Sequence, residues 1–476
     1  MEIRKSQKPA EYTASIYGNT PEKHAYQLED MRSVKVSELF PQITPAIYNN
    51  GDDLKAIRDR TRKSLENVDM SMIKPYDRIN LCCSEHGFGL LGGLPYLEMV
   101  KTIKEVVEER TNNQRIKVVL AMYRTPAEAK EVIEAFNLHD VLDCEITSCG
   151  PFDDGISIDT SIGPVLGIKK VYDCDWMLYA YYDDPREIYV HRGINRVYKS
   201  FMMNFARYET RSSVHHTFGQ TSANIISTAV YESEFVQSKF AFATIMMTSP
   251  TGVCDIISHR DLFTINKKSQ ANMLKDYTIL LELCRRLKDW NAIWDGGRWG
   301  YYLHTAGMVF GVFSGADNDF FDLDIPWCNG IGKGQIQYEG GDMNTFMGIM
   351  PTFKGVVVNQ SWIGLMCYWM CMFAKFYLVG QEVYDMYSHD RCNLPLVKMA
   401  TLVDNLEEGI AECREATGTD RFIVFDGSFD YINCSQSCAE DIIACAPAAV
   451  EAAMNKYPKY LHQRGFSEEE IAELTK

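Results

Sequence analysis

The sequence predicts an α/β protein made of two α/β domains with mostly parallel sheets and a cleft between them. The chain has 476 residues, which is enough for two separate hydrophobic cores. Strand-like and helix-like patterns alternate from Arg78 to Phe136, and a second unit of this kind begins at Gly355. Because parallel strands need crossover connections, this alternation favours parallel sheets covered by helices.

The first predicted domain covers residues 1–272. After a lead-in segment with a helical pattern at 52–65, we expect short apolar strands at 78–83, 116–121 and 176–182. Helical patterns occupy 97–107, 127–136 and 199–208. Thr125 is suited to an N-cap and Pro126 to the first helical position, where a missing N–H costs nothing.

The second predicted domain covers residues 273–394, and residues 395–476 are expected to form a closing helix and strand that return to the first domain, followed by a helical tail. The patterns predict helices at 273–287, 362–378 and 394–416, and strands at 355–359 and 421–425. The tail after Asn433 is also helical in pattern.

Composition excludes several classes of protein. The chain is 46% hydrophobic and 24% charged, and its richest apolar run, 361–374, is too short to span a membrane. The first thirty residues lack a signal-peptide pattern, so we expect a cytoplasmic protein without a membrane partner. A net charge of -16 argues against nucleic acid as a partner. Fifteen cysteines without any CxxC pair indicate reduced thiols rather than a zinc or iron-sulfur site.

Polar side chains follow the predicted strands of the first domain. Because the carboxyl ends of parallel strands share one sheet edge, the loops after Cys83, Ala121 and Tyr182 should converge on a ligand. Gly87 and Gly89 would let backbone N–H groups approach a phosphate. The candidate residues in these loops are Glu85, His86, Tyr123, Arg124, Arg186, Tyr189 and His191.

A more specific pattern begins at Lys199-Ser200 and continues through Ala206, Tyr208, Thr210 and His215. These residue types and offsets resemble the lactate racemase-like family, and Gly193 matches a glycine six residues before the lysine. We place all of these residues in one helix and its exit. The resemblance covers about residues 75–433.

The resemblance implies a nickel-pincer nucleotide as cofactor, tethered to Lys199, with His215 as the nickel ligand. It implies racemisation or epimerisation of a 2-hydroxy acid or a sugar-acid-like substrate by hydride transfer. It also implies cofactor-maturation proteins as partners, and it leaves a homodimer open. The cofactor-binding residues carried over are Lys199, Ser200, Glu85, His86, Gly87, Gly89, Arg124 and Gly193.

The sequence departs from the family pattern at its proton-transfer residues. Tyr123 stands at the place of one catalytic histidine, and Tyr189 at that of the other, with His191 two residues on. Phe88 stands where the family has an arginine. Tyrosine can transfer protons only if its pKa, ordinarily near 10, is lowered by its neighbours.

In the second domain, Lys333 is a candidate catalytic residue. Candidate substrate contacts are Arg186, Trp299, Tyr301, Gln335 and Tyr368. Other interpretations stay open: a redox or elimination step on a sugar with the same cofactor, an unrelated enzyme in which Lys199 is structural or forms a Schiff base, or a non-catalytic homologue. Lys199 as a solvated helix lysine, and the His215-His216 pair as a helix C-terminus, are the alternatives without a cofactor.

Overall fold

The structure is a computed structural model. It describes all residues except 10–18, 50, 52, 85–86, 89–92, 123–125, 184–195, 217–222, 297–318, 320, 325–352, 361–373 and 390–393, and it does not describe the side chains of 126–128, 196, 214–216, 223–224 and 395.

The strands and helices are named here in chain order. The strands are β1 (Arg4–Lys5), β2 (Met31–Lys35), β3 (Ile79–Ser84), β4 (Ile116–Ala121), β5 (Glu145–Cys149), β6 (Gly155–Thr160), β7 (Gly163–Ile168), β8 (Trp176–Asp183), β9 (Phe240–Ser249), β10 (Gly252–His259), β11 (Trp290–Asp295), β12 (Phe353–Gln360), β13 (Lys375–Val379), β14 (Thr401–Val403), β15 (Phe422–Phe425) and β16 (Tyr431–Ser435). The α-helices are α1 (Val36–Leu39), α2 (Lys55–Leu65), α3 (Gly93–Thr111), α4 (Pro126–Ala135), α5 (Leu138–Leu142), α6 (Lys169–Tyr172), α7 (Tyr208–His216), α8 (Ala223–Tyr231), α9 (Glu234–Gln237), α10 (Leu262–Arg286), α11 (Gly380–Ser388), α12 (Leu394–Met399), α13 (Leu406–Thr417), α14 (Gln436–His462) and α15 (Glu468–Leu474). Short 3-10 helices occupy Ala25–Gln27 and Arg196–Phe201.

The fold is α/β with mostly parallel sheets, which confirms this part of the prediction. A six-stranded sheet has the order β10-β9-β8-β3-β4-β5, and within it only β10 is antiparallel to its neighbour. The chain moves outward from β3 to β4 and β5, then returns to place β8 on the other side of β3. The strand order therefore reverses between β3 and β8.

Alternation of side chains along these strands builds a core on each face of the sheet. Leu81 and Val118 pack on one face with α2 and α3, whereas Cys82, Val119 and Tyr179 pack on the other with the 3-10 helix Arg196–Phe201. Both faces are apolar, as expected for parallel strands covered by helices on each side.

The second sheet has eight strands in the order β1-β2-β16-β15-β11-β12-β13-β14. Strands β11 to β15 run parallel, and the antiparallel strands β16, β2 and β1 extend one edge. Here the strand order reverses between β11 and β15, because the chain moves outward through β12, β13 and β14 before returning.

Sheet membership differs from the predicted division of the chain at both ends. Residues 4–5 and 31–35 were expected in the first domain, but they join the eight-stranded sheet through β16. Residues 422–425 were expected to return to the first domain, but they pair with β11. The predicted boundary at 272 lies inside α10, one continuous helix capped by Asp261.

Three predicted helices are wrong in part. Residues 199–208 break after the 3-10 helix because the backbone of Phe205 and Arg207 hydrogen-bonds to the edge of β7 instead. Residues 375–378 belong to strand β13. The helix expected at 394–416 is interrupted by β14, and α13 begins after Asn405, whose side chain accepts a hydrogen bond from the Glu408 N–H as an N-cap.

The carboxyl ends of the two sheets are in contact. Asp430, in the loop after β15, donates its backbone N–H to the carbonyl oxygen of Pro250, in the turn after β9, across 3.0 Å. This contact joins the loop after β15, which is next to β11, to the turn after β9, which is next to β8.

Candidate active site

The carboxyl end of β8 carries a buried acid. Asp183 is the last residue of the strand and is 7% exposed. Its carboxylate accepts a hydrogen bond from the hydroxyl of Ser269 on α10, and its carbonyl oxygen accepts one from Thr248 at 3.1 Å. Helix α10 thus crosses the carboxyl edge of the sheet at its reversal of strand order, where α/β proteins bind ligands.

The face of α10 at this crossing is polar although it is buried. Asn266, Ser269 and Gln270 are each at most 5% exposed, and they recur at the three- and four-residue spacing that places side chains on one side of a helix. Farther along, Tyr277 hydrogen-bonds to Thr248, while burial raises the pKa of its phenol well above the ordinary range. The carboxyl end of β8–β9 is therefore lined by hydrogen-bonding groups rather than apolar ones.

Lys199 lies on the 3-10 helix Arg196–Phe201 and is 4% exposed. The hydroxyl of Tyr179, in the middle of β8, lies 2.9 Å from the Ser200 Oγ and 3.1 Å from the carbonyl oxygen of Val197. These contacts attach the turn that carries Lys199 to the sheet. The alternative of Lys199 as a solvated helix lysine is wrong, because the residue is buried.

The segment after Lys199 leads to the carboxyl end of β4. Asn204 donates its side-chain N–H to the carbonyl oxygen of Ala121, the last residue of that strand, at 3.4 Å. On α7, the buried Arg211 donates to the carbonyl oxygen of Met122 at 3.1 Å. Helix α7 therefore lies beside the carboxyl end of β4.

The sequence predicts Lys199 and His215 in one helix and its exit, but the structure places them on two different helices. They lie on the 3-10 helix and on α7, which are separated by a bridge between Ala206 and Gly167. Position 215 follows Arg211 by four residues, about one turn of α7. The side chain of His215 is outside the described part of the structure.

Gly87 has a packing role that the sequence did not reveal. A Cβ atom there would lie 2.4 Å from the ring of Tyr96, which is fully buried and donates its hydroxyl to the carbonyl oxygen of Ala180 at 2.7 Å. Next to it, Phe88 is buried against Tyr96 with ring centroids 4.9 Å apart. Phe88 is thus part of the core.

Most of the other predicted site residues lie outside the described residues. They are Glu85, His86, Gly89, Tyr123, Arg124, Arg186, Tyr189, His191, Gly193, Trp299, Tyr301, Lys333, Gln335 and Tyr368.

Sequence reasoning missed Asp183, Ser269 and Thr248. Asp183 had a signal, because it ends an apolar strand and precedes a second acid and a proline. Ser269 had none, since its role depends on α10 crossing an edge formed by residues far away in the chain.

A second polar cluster, also missed, lies at the other reversal of strand order. The Nδ1 of His24 is 3.0 Å from the Oδ1 of Asp295, the last residue of β11. Asp295 also accepts hydrogen bonds from the Ala25 N–H at 2.6 Å and the Asn359 side chain at 2.7 Å. The hydrogen bond with Asp295 is the main cause that raises the pKa of His24.

Asp426 follows β15, beside β11, and completes this cluster. Its carboxylate accepts hydrogen bonds from the backbone and hydroxyl of Ser428 and from the Asn433 side chain at 2.7 Å. Burial raises the pKa of Asp426 to about 6, and the negative charge of Asp295 adds to the shift.

Within the part of the chain that the structure describes, no group of three or more His, Cys, Asp or Glu side chains is arranged to hold a metal ion. Likewise, none of the helices described above is both long enough and apolar enough to cross a membrane.

No protein-family model matches this chain, and no curated protein matches it either.

Proposed function

We propose that the protein is a racemase or epimerase of a 2-hydroxy acid or a sugar-acid-like substrate, with Lys199 as the covalent anchor of a nickel-pincer nucleotide. In this proposal it is a cytoplasmic enzyme of the lactate racemase-like family. Its substrate is a small molecule, and its net charge of -16 makes nucleic acid an unfavourable partner.

The burial of Lys199 is the observation that carries this proposal. Lysine is rarely fully buried in folded proteins. A lysine that is 4% exposed, on a turn attached to the centre of the sheet, fits an anchor that is shielded from water.

The course of the chain around Lys199 also supports the proposal. Asn204 and Arg211 bring the following segment to the carboxyl end of β4, beside β3 and the reversal of strand order. In this proposal, a nucleotide joined to Lys199 would lie at the carboxyl ends of β3, β4 and β8. His215, on the same helix as Arg211, is the proposed nickel ligand.

The proposed reaction assigns a role to each candidate residue. When bound, the nickel-pincer group supplies an electrophilic ring that accepts hydride. Tyr123, Tyr189 and His191 would exchange the hydroxyl proton, and Arg124, Arg186 and Lys333 would hold the carboxylate. Trp299, Tyr301, Gln335 and Tyr368 are the proposed substrate contacts. Glu85, His86, Gly87, Gly89, Gly193 and Ser200 would surround the nucleotide.

The test is intact mass and nickel content of protein purified from its native host. We expect a covalent nucleotide adduct and stoichiometric nickel in the wild type, and neither in Lys199→Ala. Lys239→Ala is the matched control, because Lys239 donates to the carbonyl oxygen of Cys174 near the amino ends of β8 and β9.

Circular dichroism of each variant separates loss of the adduct from loss of folding. An adduct that persists in folded Lys199→Ala, or a wild type without any adduct, would overturn the proposal. Chiral chromatography with a panel of hydroxy acids and sugar acids then distinguishes inversion from a net redox or elimination step.

A further inference from the structure

Residues 19–27 cross the carboxyl ends of β11 and β12. Asn19 donates its side-chain N–H to the carbonyl oxygen of Asn359 at 2.8 Å, and the side chain of Gln360 donates to the carbonyl oxygen of Asn19 at 3.0 Å. Asn359 in turn donates to the carbonyl oxygen of Lys23 at 2.9 Å. Because Asn359 and Gln360 are the last two residues of β12, these hydrogen bonds hold the first part of the segment against the end of that strand.

Asp295, at the end of β11, holds the second part of the segment. Its carboxylate lies 3.0 Å from the Nδ1 of His24 and accepts a hydrogen bond from the Ala25 N–H at 2.6 Å. The side chain of Asp295 is 1% exposed, whereas that of His24 is 33% exposed. An ionised carboxylate can only accept, so the Nδ1 of His24 carries the proton in this hydrogen bond. The segment is thus attached to β11 through a side chain that titrates near neutral pH.

Polar contacts rather than apolar packing hold this segment. Among residues 19–27, Ala25 is the only apolar residue that is buried. The next buried apolar side chain is that of Leu28, which leads to β2 and packs with Ile293 and Val357 in the core of the eight-stranded sheet. Segments that bury few apolar groups are the ones that open locally while the rest of a protein stays folded.

The charges around His24 make its attachment depend on pH. The hydrogen bond with Asp295 is the main cause that raises the pKa of His24, and the negative charge of Asp426, after β15, adds to it. Burial and the positive charge of Lys8, in the N-terminal segment, lower the pKa. The ring of Tyr26 stacks on the imidazole with centroids 5.7 Å apart. Protonated His24 is therefore a cation beside two carboxylates, and its loss of the proton leaves those carboxylates to repel each other.

The segment covers an edge of the sheet at which a ligand is expected. Strand β11 is next to the reversal of strand order between β11 and β15, and α/β sheets bind ligands at the carboxyl ends of the strands at such a reversal. We propose that residues 19–27 form a pH-sensitive strap, which closes over the carboxyl ends of β11 and β12 while His24 is protonated and opens as the pH rises. The strap does not involve the cofactor proposed at Lys199.

The direction of the response follows from the raised pKa of His24. A raised pKa means that the closed strap binds the proton more tightly than the open strap does. The stabilisation is therefore complete below the ordinary histidine pKa near 6.5 and is lost as the pH rises through the raised value. We expect the open fraction to rise about two- to tenfold between pH 6 and pH 9, which is the effect of one partly exposed charged pair.

Limited proteolysis with trypsin measures this opening, because cleavage after Lys23 requires an open strap. In the closed strap the carbonyl oxygen of Lys23 accepts from Asn359, and its amine forms an ion pair with Glu407. The cleavage rate at Lys23 is read by peptide mass spectrometry from pH 6 to pH 9. Division by the rate in a synthetic peptide of residues 19–28 at the same pH removes the pH dependence of trypsin and gives a ratio proportional to the open fraction.

His24→Asn is the decisive variant, because asparagine keeps an N–H for Asp295 but cannot titrate. We expect the ratio to rise with pH in the wild type and to stay constant in His24→Asn. His139→Asn, at an exposed histidine on α5, is the matched control and should follow the wild type. Any pH dependence of global unfolding would appear in all three proteins. A constant ratio in the wild type, or a ratio that rises equally in His24→Asn, would overturn the inference.

Hydrogen exchange gives a second measurement that needs no variant. The Ala25 N–H donates to Asp295, so its exchange reports directly on the attachment of the strap to β11. Mass spectrometry of a peptide that contains residues 24–28 should show protection, corrected for the intrinsic exchange rate, falling by the same two- to tenfold from pH 6 to pH 9. Protection that does not change over this range would overturn the inference.

Discussion

The backbone N–H of Asp430 lies 3.0 Å from the carbonyl oxygen of Pro250, and this hydrogen bond joins the carboxyl ends of the two sheets. The loop is fixed further by the Asp430 carboxylate, which accepts from the Ser37 N–H at 2.8 Å and from its hydroxyl at 3.0 Å. The loop between β15 and β16 therefore contacts both α1 and the turn after β9.

Asp430→Ala should destabilise the protein by about 2–4 kcal/mol, since it removes two hydrogen bonds and strains the backbone. Asp430 has a φ of 64°, a left-handed conformation that asparagine tolerates and alanine does not. Asp430→Asn should therefore cost much less. Urea unfolding of both variants checks this order, and equal losses would contradict it.

Tyr179→Phe should loosen the turn that carries Lys199. It removes the hydroxyl beside Ser200 and Val197 but keeps the ring contacts with Phe201 and Phe205. We expect a loss of about 1–2 kcal/mol in unfolding free energy and, in protein that lacks the cofactor, faster acetylation of Lys199, read by peptide mass spectrometry. Tyr208→Phe, at a residue 53% exposed, is the control. Unchanged stability and labelling would show that the hydroxyl does not hold the turn.

Gly87→Ala should destabilise the protein by about 1–3 kcal/mol through overpacking. The added methyl group would lie 2.4 Å from the Tyr96 ring. Because the ring is fully buried, it cannot move away without disturbing its neighbours. Gly150→Ala is the matched control, because nothing lies within 4 Å of a Cβ atom there. Thermal unfolding of the pair checks the prediction, and a neutral Gly87→Ala would refute the packing role.

Asp276 should make stability fall as the pH rises. Burial raises its pKa from 3.8 to about 6, against the opposing effects of Lys275 and Thr44. A raised pKa means that the folded state binds the proton more tightly, so the stabilisation is complete below pH 4 and is lost as the pH rises through about 6.

Asp276→Asn removes this titration but keeps an oxygen that can accept a hydrogen bond. In the wild-type protein the Thr44 N–H donates to the Asp276 carboxylate at 3.1 Å. The unfolding free energy of the variant relative to the wild type should rise by about 3 kcal/mol between pH 4 and pH 8. Denaturant unfolding across this range measures it, with the exposed Asp140→Asn as control. A difference independent of pH would contradict the assignment.

The sequence alone determined the strands and helices whose patterns are local. Strand β4 is correct to the residue, and Pro126 begins α4 as its missing N–H requires. The fold class followed from the same alternation. The pattern failed at β13, because a strand buried on both faces gives a continuous apolar run that resembles a buried helix.

Tertiary structure alone decided what surrounds the candidate sites. No local pattern in the sequence indicates that residues 31–35 pair with 431–435. Nor does one indicate that His24 contacts Asp295, which is 271 positions away in the chain. The burial of Lys199 likewise depends on Tyr179 and the core beneath it. Local patterns fix which segments become strands and helices, whereas contacts between distant residues fix which polar groups are buried together, because those contacts exist only once the sheets have formed.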